Sequence, residues 1–175
     1  VQLVHEKSDV PLTDGAVLHV LHPTDQTYAP GEPVNNASVV LRLDYGETTF
    51  LFTGDIEAEI ERRLVKIAAL EINADVLKVP HHGSKSSSTP DFIAAVSPAV
   101  SVVQVGRANR YGHPVQAVLD RLEAAGSLVF RTDQLGAIRL QSDGCLIERP
   151  VAFTLFGASL VGKRAETVYN SCKDR

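Results

Sequence analysis

The chain has no methionine and no tryptophan, only two cysteines, and aromatic side chains at just 6% of its 175 residues. Cys145 and Cys172 lie far apart with no Cys-x-x-Cys spacing, which excludes a zinc knuckle and a multi-bridge disulfide framework; both are expected as free thiols. Also missing is an apolar run of the roughly 20 residues that a membrane-spanning helix needs. The longest candidate, Val151 to Gly162, is broken by Thr154, Gly157 and Ser159, so a soluble domain is expected. The chain opens on Val1-Gln2-Leu3 with no initiator methionine, basic n-region or signal-like stretch, as expected of a piece of a longer protein. A formal net charge of −4 excludes the global basic face of a dedicated nucleic-acid-binding domain.

What is there is the composition of an ordinary globular domain, 44% hydrophobic and 22% charged. Charge is uneven: from Lys78 to Pro114, Lys78, Lys85, Arg107 and Arg110 stand against Asp91 alone, in a stretch that holds three of the six histidines. An anionic substrate would be welcome there, and a run of solvated loop charges would look the same.

Short runs rich in Val, Leu and Phe at Ala16 to Leu21, Ser38 to Asp44 and Thr49 to Thr53 read as strands, the last two joined as a hairpin by Tyr45-Gly46-Glu47. Asp55 opens a helical pattern with Ile56, Ile60, Leu64 and Ile67 on one face. A strand over Ala74 to Pro80, a helix from Thr89-Pro90 to about Val96, a strand over Ala99 to Val105 and a helix from Pro114 to the stop at Gly126 come next. Strands at Leu128 to Arg131, Ala137 to Gln141 and Cys145 to Glu148 close the series, with Asp143-Gly144 as a hairpin turn. The alternation predicts an α/β class with a layered sheet.

Three segments just past predicted strand ends could carry chemistry, since α/β sheets build sites there. Thr53-Gly54 delivers Asp55, Val79-Pro80 delivers His81 and His82, and the strand ending near Val105 leads to His113. One carboxylate and two or three imidazoles are the donor types that hold zinc or manganese. Each has a plainer reading. Asp55 is also a well-placed helix N-cap, and His113 could be a cap or loop residue. Strand alternation would point His81 and His82 to opposite sides, leaving one as an obvious ligand. Ser84 and Lys85 could contact phosphate oxygens or be a solvated loop. Asn35 and Asn36 read first as an ordered turn, and His5, His19 and His22 as surface or packing residues.

In order, Asn35-Asn36-x-Ser38-Val39-Val40-Leu41, Phe50-Leu51-Phe52-Thr53-Gly54-Asp55, Leu77-Lys78-Val79-Pro80-His81-His82-Gly83-Ser84-Lys85-x-Ser87 and Asn109-x-Tyr111-Gly112-His113-Pro114 resemble the metallo-β-lactamase-like domain of the ComEC family of competence proteins. The match runs from about Gly15 to Ile147 and extends through Arg131-Thr132-Asp133-x-x-Gly136. The resemblance implies the C-terminal half of an αββα sandwich over residues 1–149, with 150–175 a terminal extension, in a metal-dependent, phosphodiesterase- or nuclease-like hydrolase that degrades the non-transforming DNA strand during uptake.

It further implies two divalent ions, zinc or manganese, in the complete domain, with Asp55 as the bridging aspartate and His82 as a ligand. His81 then serves catalysis or phosphate contact, His113 serves catalysis as a metal ligand or phosphate binder, and Asn36, Ser84 and Lys85 contact substrate. Single-stranded DNA is the expected substrate. The membrane-channel portion of the same parent protein and other competence proteins are the expected partners, and the outer, periplasmic or extracytoplasmic, face of the membrane is the expected location. The sequence departs from the fold's pattern twice. A His-x-Asp-x-Asp-His or His-x-His-x-Asp-His cluster is expected upstream of Val1, and Asn35 and Asn36 stand where a histidine usually precedes the hairpin. The fragment alone is therefore expected to be a poor enzyme, and a non-catalytic DNA-guiding module or a stand-alone phosphoesterase are the alternatives.

Overall fold

A computed structural model describes residues 8–23, 34–148, 151–153, 167–170 and 172. The apolar runs form β1 (Asp9–Pro11), β2 (Val17–His22), β3 (Val40–Tyr45), β4 (Thr48–Phe52), β5 (Val76–Lys78), β6 (Val100–Val103) and β7 (Leu128–Arg131), which lie side by side in that order in a seven-stranded sheet. Strands β1 to β4 pair antiparallel and β4 to β7 parallel. Helices α1 (Ala58–Ala68), α2 (Pro90–Val96) and α3 (Gln116–Ala124) make the three parallel crossovers. Right-handed crossovers that step across a sheet in one direction leave their helices on one face, and here α1 packs on α2 and α2 on α3.

Strand alternation divides the apolar side chains between the two faces. Leu51, Leu77 and Val103 point to the helices, where they pack with Ile56, Ile60, Leu64, Phe92, Val118 and Leu122, all within 1% of full burial. Phe50, Val76, Val100, Val102 and Phe130 point the other way and meet Ile147 in a smaller cluster. That second face is only partly covered: it borders a cavity of about 890 Å³ lined in part by Leu43, Tyr45, Phe52 and Ile138, and Phe52 is 42% exposed. One sheet with one helical layer is half of a four-layer αββα sandwich, in accord with the fold class expected from the motifs.

Beyond β7, a short helix α4 (Thr132–Leu135) leads to β8 (Ala137–Arg139), β9 (Leu146–Glu148), β10 (Val151–Phe153) and β11 (Thr167–Asn170). A single bridge, Ser142 to Ile147, marks the turn expected at Asp143-Gly144, where the Asp143 carboxylate accepts the Cys145 and Leu146 amides. The main partners of β8 and β9 come instead from the stretch after Pro150: β10 pairs with β8 and β11 with β9. The cysteines also differ from expectation. Cys145 and Cys172 are joined in a disulfide with Cα atoms 5.5 Å apart, so neither is a free thiol. Their 27-residue separation hid this pairing, which becomes possible only once β11 returns to β9. Among the described residues no helix is long and apolar enough to cross a membrane.

Candidate functional site

At the end of β4, buried Thr53 donates its hydroxyl to the Lys78 carbonyl at 2.8 Å, tying the ends of β4 and β5 together. The next residue, Gly54, turns with φ +55°, and a Cβ there would lie 2.5 Å from Ser38 Cβ, so the chain needs glycine at this crossing. Segment 36–38 then cradles the loop from Asp55 to Glu57: the Asp55 amide donates to Ser38 Oγ at 2.9 Å and the Glu57 amide to Asn36 Oδ1 at 3.0 Å. The ordered turn expected at Asn35 and Asn36 is present as one 3-10 turn, Val34–Ala37, and Asn36, held by His22 through its carbonyl at 2.7 Å, uses it to brace the neighbouring loop. Because α1 begins at Ala58 with Glu57 at the cap position, Asp55 is not the N-cap. Its carboxylate faces Lys78 Nζ through Oδ1 and His82 Nε2 through Oδ2, each at 3.5 Å.

Strand β5 stops at Lys78, so His81 and His82 do not alternate along a strand. They sit in a short turn, Pro80–Gly83, in which His81 (φ 45°), His82 (φ 54°) and Gly83 (φ 79°) are all left-handed. For two consecutive side-chain-bearing residues this costs about 1–2 kcal/mol each, a strain that persists only where surroundings over-determine the backbone. Here the His81 amide donates to the Gly54 carbonyl at 3.2 Å, the Ser84 amide to the His81 carbonyl at 2.9 Å, and Ser87 Oγ to the Pro80 carbonyl at 3.1 Å. The turn sends both imidazoles to the same strand-end region, with ring centroids 6.4 Å apart.

His82 Nδ1 lies 2.6 Å from the Gln104 carbonyl. A carbonyl only accepts, so Nδ1 carries the hydrogen and, in the neutral ring, Nε2 is a bare lone pair facing the Asp55 carboxylate. A carboxylate oxygen and an imidazole nitrogen, two donor types that metal ions take, thus face one another at 3.5 Å. Fixing one ring nitrogen on a backbone carbonyl is also how metal-binding histidines are commonly oriented.

The third loop arrives through Gly83. A Cβ at Gly83 would come 2.6 Å from Pro114 Cβ, and the Val115 amide donates to the Gly83 carbonyl at 3.0 Å, so the His81-His82 turn and the His113-Pro114 loop are in direct contact. The His113 ring lies 5.8 Å from that of His81, and its Nδ1 is buried without a partner. Burial first, and then the neighbouring His81 and His82, hold the His113 pKa below its ordinary value. His81 Nδ1 lies 3.4 Å from Ser86 Oγ and 3.6 Å from a Glu57 carboxylate oxygen, while its Nε2 is 3.5 Å from Asn35 Nδ2.

The sequence profile of the metallo-beta-lactamase superfamily matches residues 6–107. The chain belongs to this superfamily. Among its relatives, ComE operon protein 3 of Bacillus subtilis (strain 168) is 39% identical over 134 residues, 77% of this chain and 17% of the relative. Competence protein ComA of Neisseria gonorrhoeae is 37% identical over 126 residues, 72% of this chain and 18% of the relative. Recombination protein 2 of Haemophilus influenzae is 35% identical over 106 residues, 61% of this chain and 13% of the relative. The chain thus spans less than a fifth of the length of these relatives, and they bear out the resemblance to the ComEC family.

Members of the metallo-beta-lactamase superfamily generally use divalent metals. Asp55 and His82 fit as two adjacent donors, but among the described residues no group of three or more His, Cys, Asp or Glu could hold an ion. A catalytic zinc site normally takes three protein ligands, so the described part of this domain presents an incomplete set. Ser84 is buried, with its hydroxyl 3.1 Å from that of Ser86, whereas Lys85 is exposed.

Two residues join the site that the sequence reading gave no role in it. Lys78 donates to the Gly54 carbonyl at 2.7 Å and stands against Asp55; burial lowers its pKa, and the carboxylate opposes that shift. Glu57 faces His81 from the start of α1. A lysine on a central strand between buried Leu77 and Val79 was the available signal for the first. For the second, nothing in the local sequence separates a carboxylate facing a histidine from one facing the helix dipole.

Proposed function

We propose that this chain is part of a metal-dependent phosphodiesterase that cleaves a DNA strand during uptake. The carrying observation is the pair of acceptors, Asp55 Oδ2 and His82 Nε2, held 3.5 Å apart by partners on their far sides. In this reading Asp55 and His82 supply two ligands to a divalent cation, and residues outside those described complete its ligands. Divalent metal, when bound, would polarise a phosphoryl oxygen and lower the pKa of a bound water.

This chain's own residues supply the rest. Lys78 fixes the Gly54 carbonyl and balances the second Asp55 oxygen, so that the carboxylate keeps one direction. His81, with Glu57 behind Nδ1, is arranged to hold a proton and pass it to a leaving oxygen. The His113 ring lies beside it, 5.8 Å away, on the groove side of the site. Strand-end lysine and arginine side chains from Lys78 to Arg110 favour an anionic ligand, and relatives named for competence and recombination support DNA as that ligand. The Cys145–Cys172 disulfide supports an oxidising location such as the outer face of a cell membrane.

The test is incubation of the complete protein with single-stranded DNA and manganese. Cleavage should require metal and fall by at least a hundredfold in Asp55→Ala and His82→Ala. No cleavage by the parent, or variants that match it, would count against the reading. The alternative of a non-catalytic DNA-guiding module predicts binding that weakens steeply with salt and ignores chelators.

A further inference from the structure

Next to the Asp55 and His82 pair lies a groove of about 630 Å³ whose lining includes His82, Gln104, Gly106, Asn109, Tyr111 and His113. At its edge the Tyr111 ring is 82% exposed, the most solvent-open aromatic ring among the exposed apolar side chains described. Its inner face is engaged: the ring lies nearly parallel to that of His113, at 18° with centroids 6.0 Å apart.

The loop beneath is hydrogen-bonded. Asn109 accepts the His113 amide at 3.0 Å and donates to the His113 and Gly106 carbonyls at 2.7 and 3.2 Å. Tyr111 is therefore an aromatic ring on a hydrogen-bonded loop, lying beside His113 and open to a ligand.

The surroundings indicate which ligand. Arg107 and Arg110 flank the ring on the same loop, both exposed, and no acidic residue occurs between Asp91 and Asp120. Arg107 is anchored through Nε to the Asp133 carbonyl at 3.1 Å, which leaves the rest of its guanidinium for an outside anion. An aromatic ring flanked by cations, beside the proposed phosphate site, matches the recurring arrangement of single-strand binders, where bases stack and phosphates pair with cations.

We propose that Tyr111 is a base-stacking platform: a nucleotide adjoining the phosphate at the Asp55 and His82 pair lays its base on the outer face of the Tyr111 ring. This deepens the nucleic-acid reading above and rests on it. Bases inside a duplex are already stacked on both faces, so the platform selects single-stranded DNA.

The experiment uses the complete protein with metal chelated, so that nothing is cut. Binding of fluorescein-labelled oligo(dT) and of an abasic oligomer with the same number of phosphates is followed by anisotropy. The parent should prefer oligo(dT) by roughly tenfold, the scale of one stacked base. Tyr111→Phe should keep that preference, because the aromatic plane remains. Tyr111→Leu, which retains an apolar contact with His113 but no plane, should reduce it roughly tenfold while binding the abasic strand as the parent does.

A Tyr111→Leu protein with the parent's preference overturns the proposal, as does a parent that binds both oligomers alike. Failure of the nuclease reading shows separately: if manganese restores no cleavage of the same oligo(dT), base-dependent binding through Tyr111 still stands. Absence of binding to either oligomer overturns the platform, and the manganese cleavage assay alone decides the nuclease reading.

Discussion

Removal of the Glu61 carboxylate should unfasten the loop that carries Ser84 and Ser86 to the site. Glu61 lies on α1, fully buried, and accepts the Ser88 amide on one oxygen and the Thr89 amide at 2.8 Å on the other. Arg121 of α3 grips the same loop from the other side by donating to the Ser88 carbonyl. Ser88 is thereby held at φ 56° with a buried hydroxyl that has no partner, a conformation it would not keep unaided. In Glu61→Ala two buried amides lose their acceptor, at about 1–3 kcal/mol each, or about 2–6 kcal/mol together. In a chain of this size each kcal/mol lowers Tm by about 2–4 °C, so a fall of about 4–24 °C is expected. Glu61→Gln keeps one acceptor and turns an N–H group to the other amide, for a loss of about 1–3 kcal/mol.

The same group gives a pH signature. Burial raises the Glu61 pKa above its ordinary 4.5, against the opposing pull of the Thr89 and Ser88 hydrogen bonds and the Arg121 charge. The folded protein therefore binds the proton more tightly than the unfolded chain. The contribution of this protonation to stability is fully present below pH 4.5 and is lost as pH rises through the raised value. Urea unfolding of the parent and of Glu61→Gln across that window should show the parent's advantage shrinking as pH rises, with other titrations cancelling in the difference. A Glu61→Ala protein within about 1 kcal/mol of the parent, well below the cost of two orphaned amides, would refute the argument. So would a parent advantage that grows with pH.

Three further outcomes are expected. Gly83→Ala should reduce phosphodiesterase activity of the complete protein more than tenfold, because the new Cβ would press 2.6 Å from Pro114 Cβ, whereas Gly126→Ala, at a similar φ of +83° with nothing within 4 Å, should lose stability in urea and leave activity alone. Lys78→Met should weaken manganese binding about 10–100-fold in a metal titration, since Asp55 would lose the ammonium that sets its orientation. Cys145→Ser with Cys172→Ser should lower unfolding stability by about 2–4 kcal/mol, and the untreated parent should show no thiol reactive to a colorimetric reagent until reduced.

The alternation of strands and helices from β3 to β7 was legible because each element carries its own periodicity: Leu51 and Leu77 alternate with outward residues, and Ile56, Ile60 and Leu64 recur at helical spacing. Elements that depend on distant partners were not. Strands β10 and β11 are short, and they exist as strands through β8 and β9, a dependence invisible along the chain. For the same reason Cys145 and Cys172 read as unrelated. At the site, Asp55, His82 and His113 were found from residue type and position after strands, yet their relations rest on backbone features that sequence states only obliquely. The left-handed pair His81-His82 is one, since neither residue favours that conformation as glycine does.

That pair explains why the donors converge. In an extended continuation of β5, His81 and His82 would point to opposite sides of the sheet, and one would be lost to the helical layer. Three successive left-handed residues reverse the chain within one turn, bring the His81 amide onto the Gly54 carbonyl, and hold His82 between Asp55 and the Gln104 carbonyl. The strain of about 1–2 kcal/mol per residue is thus the energetic cost of gathering two imidazoles at one strand end. Gly83 completes the reversal with its own left-handed φ of 79°, and its missing Cβ lets Pro114, and with it His113, approach. The sequence His81-His82-Gly83 therefore acts as a spatial hinge between three loops, and the chemistry of the site depends on its backbone as much as on its side chains.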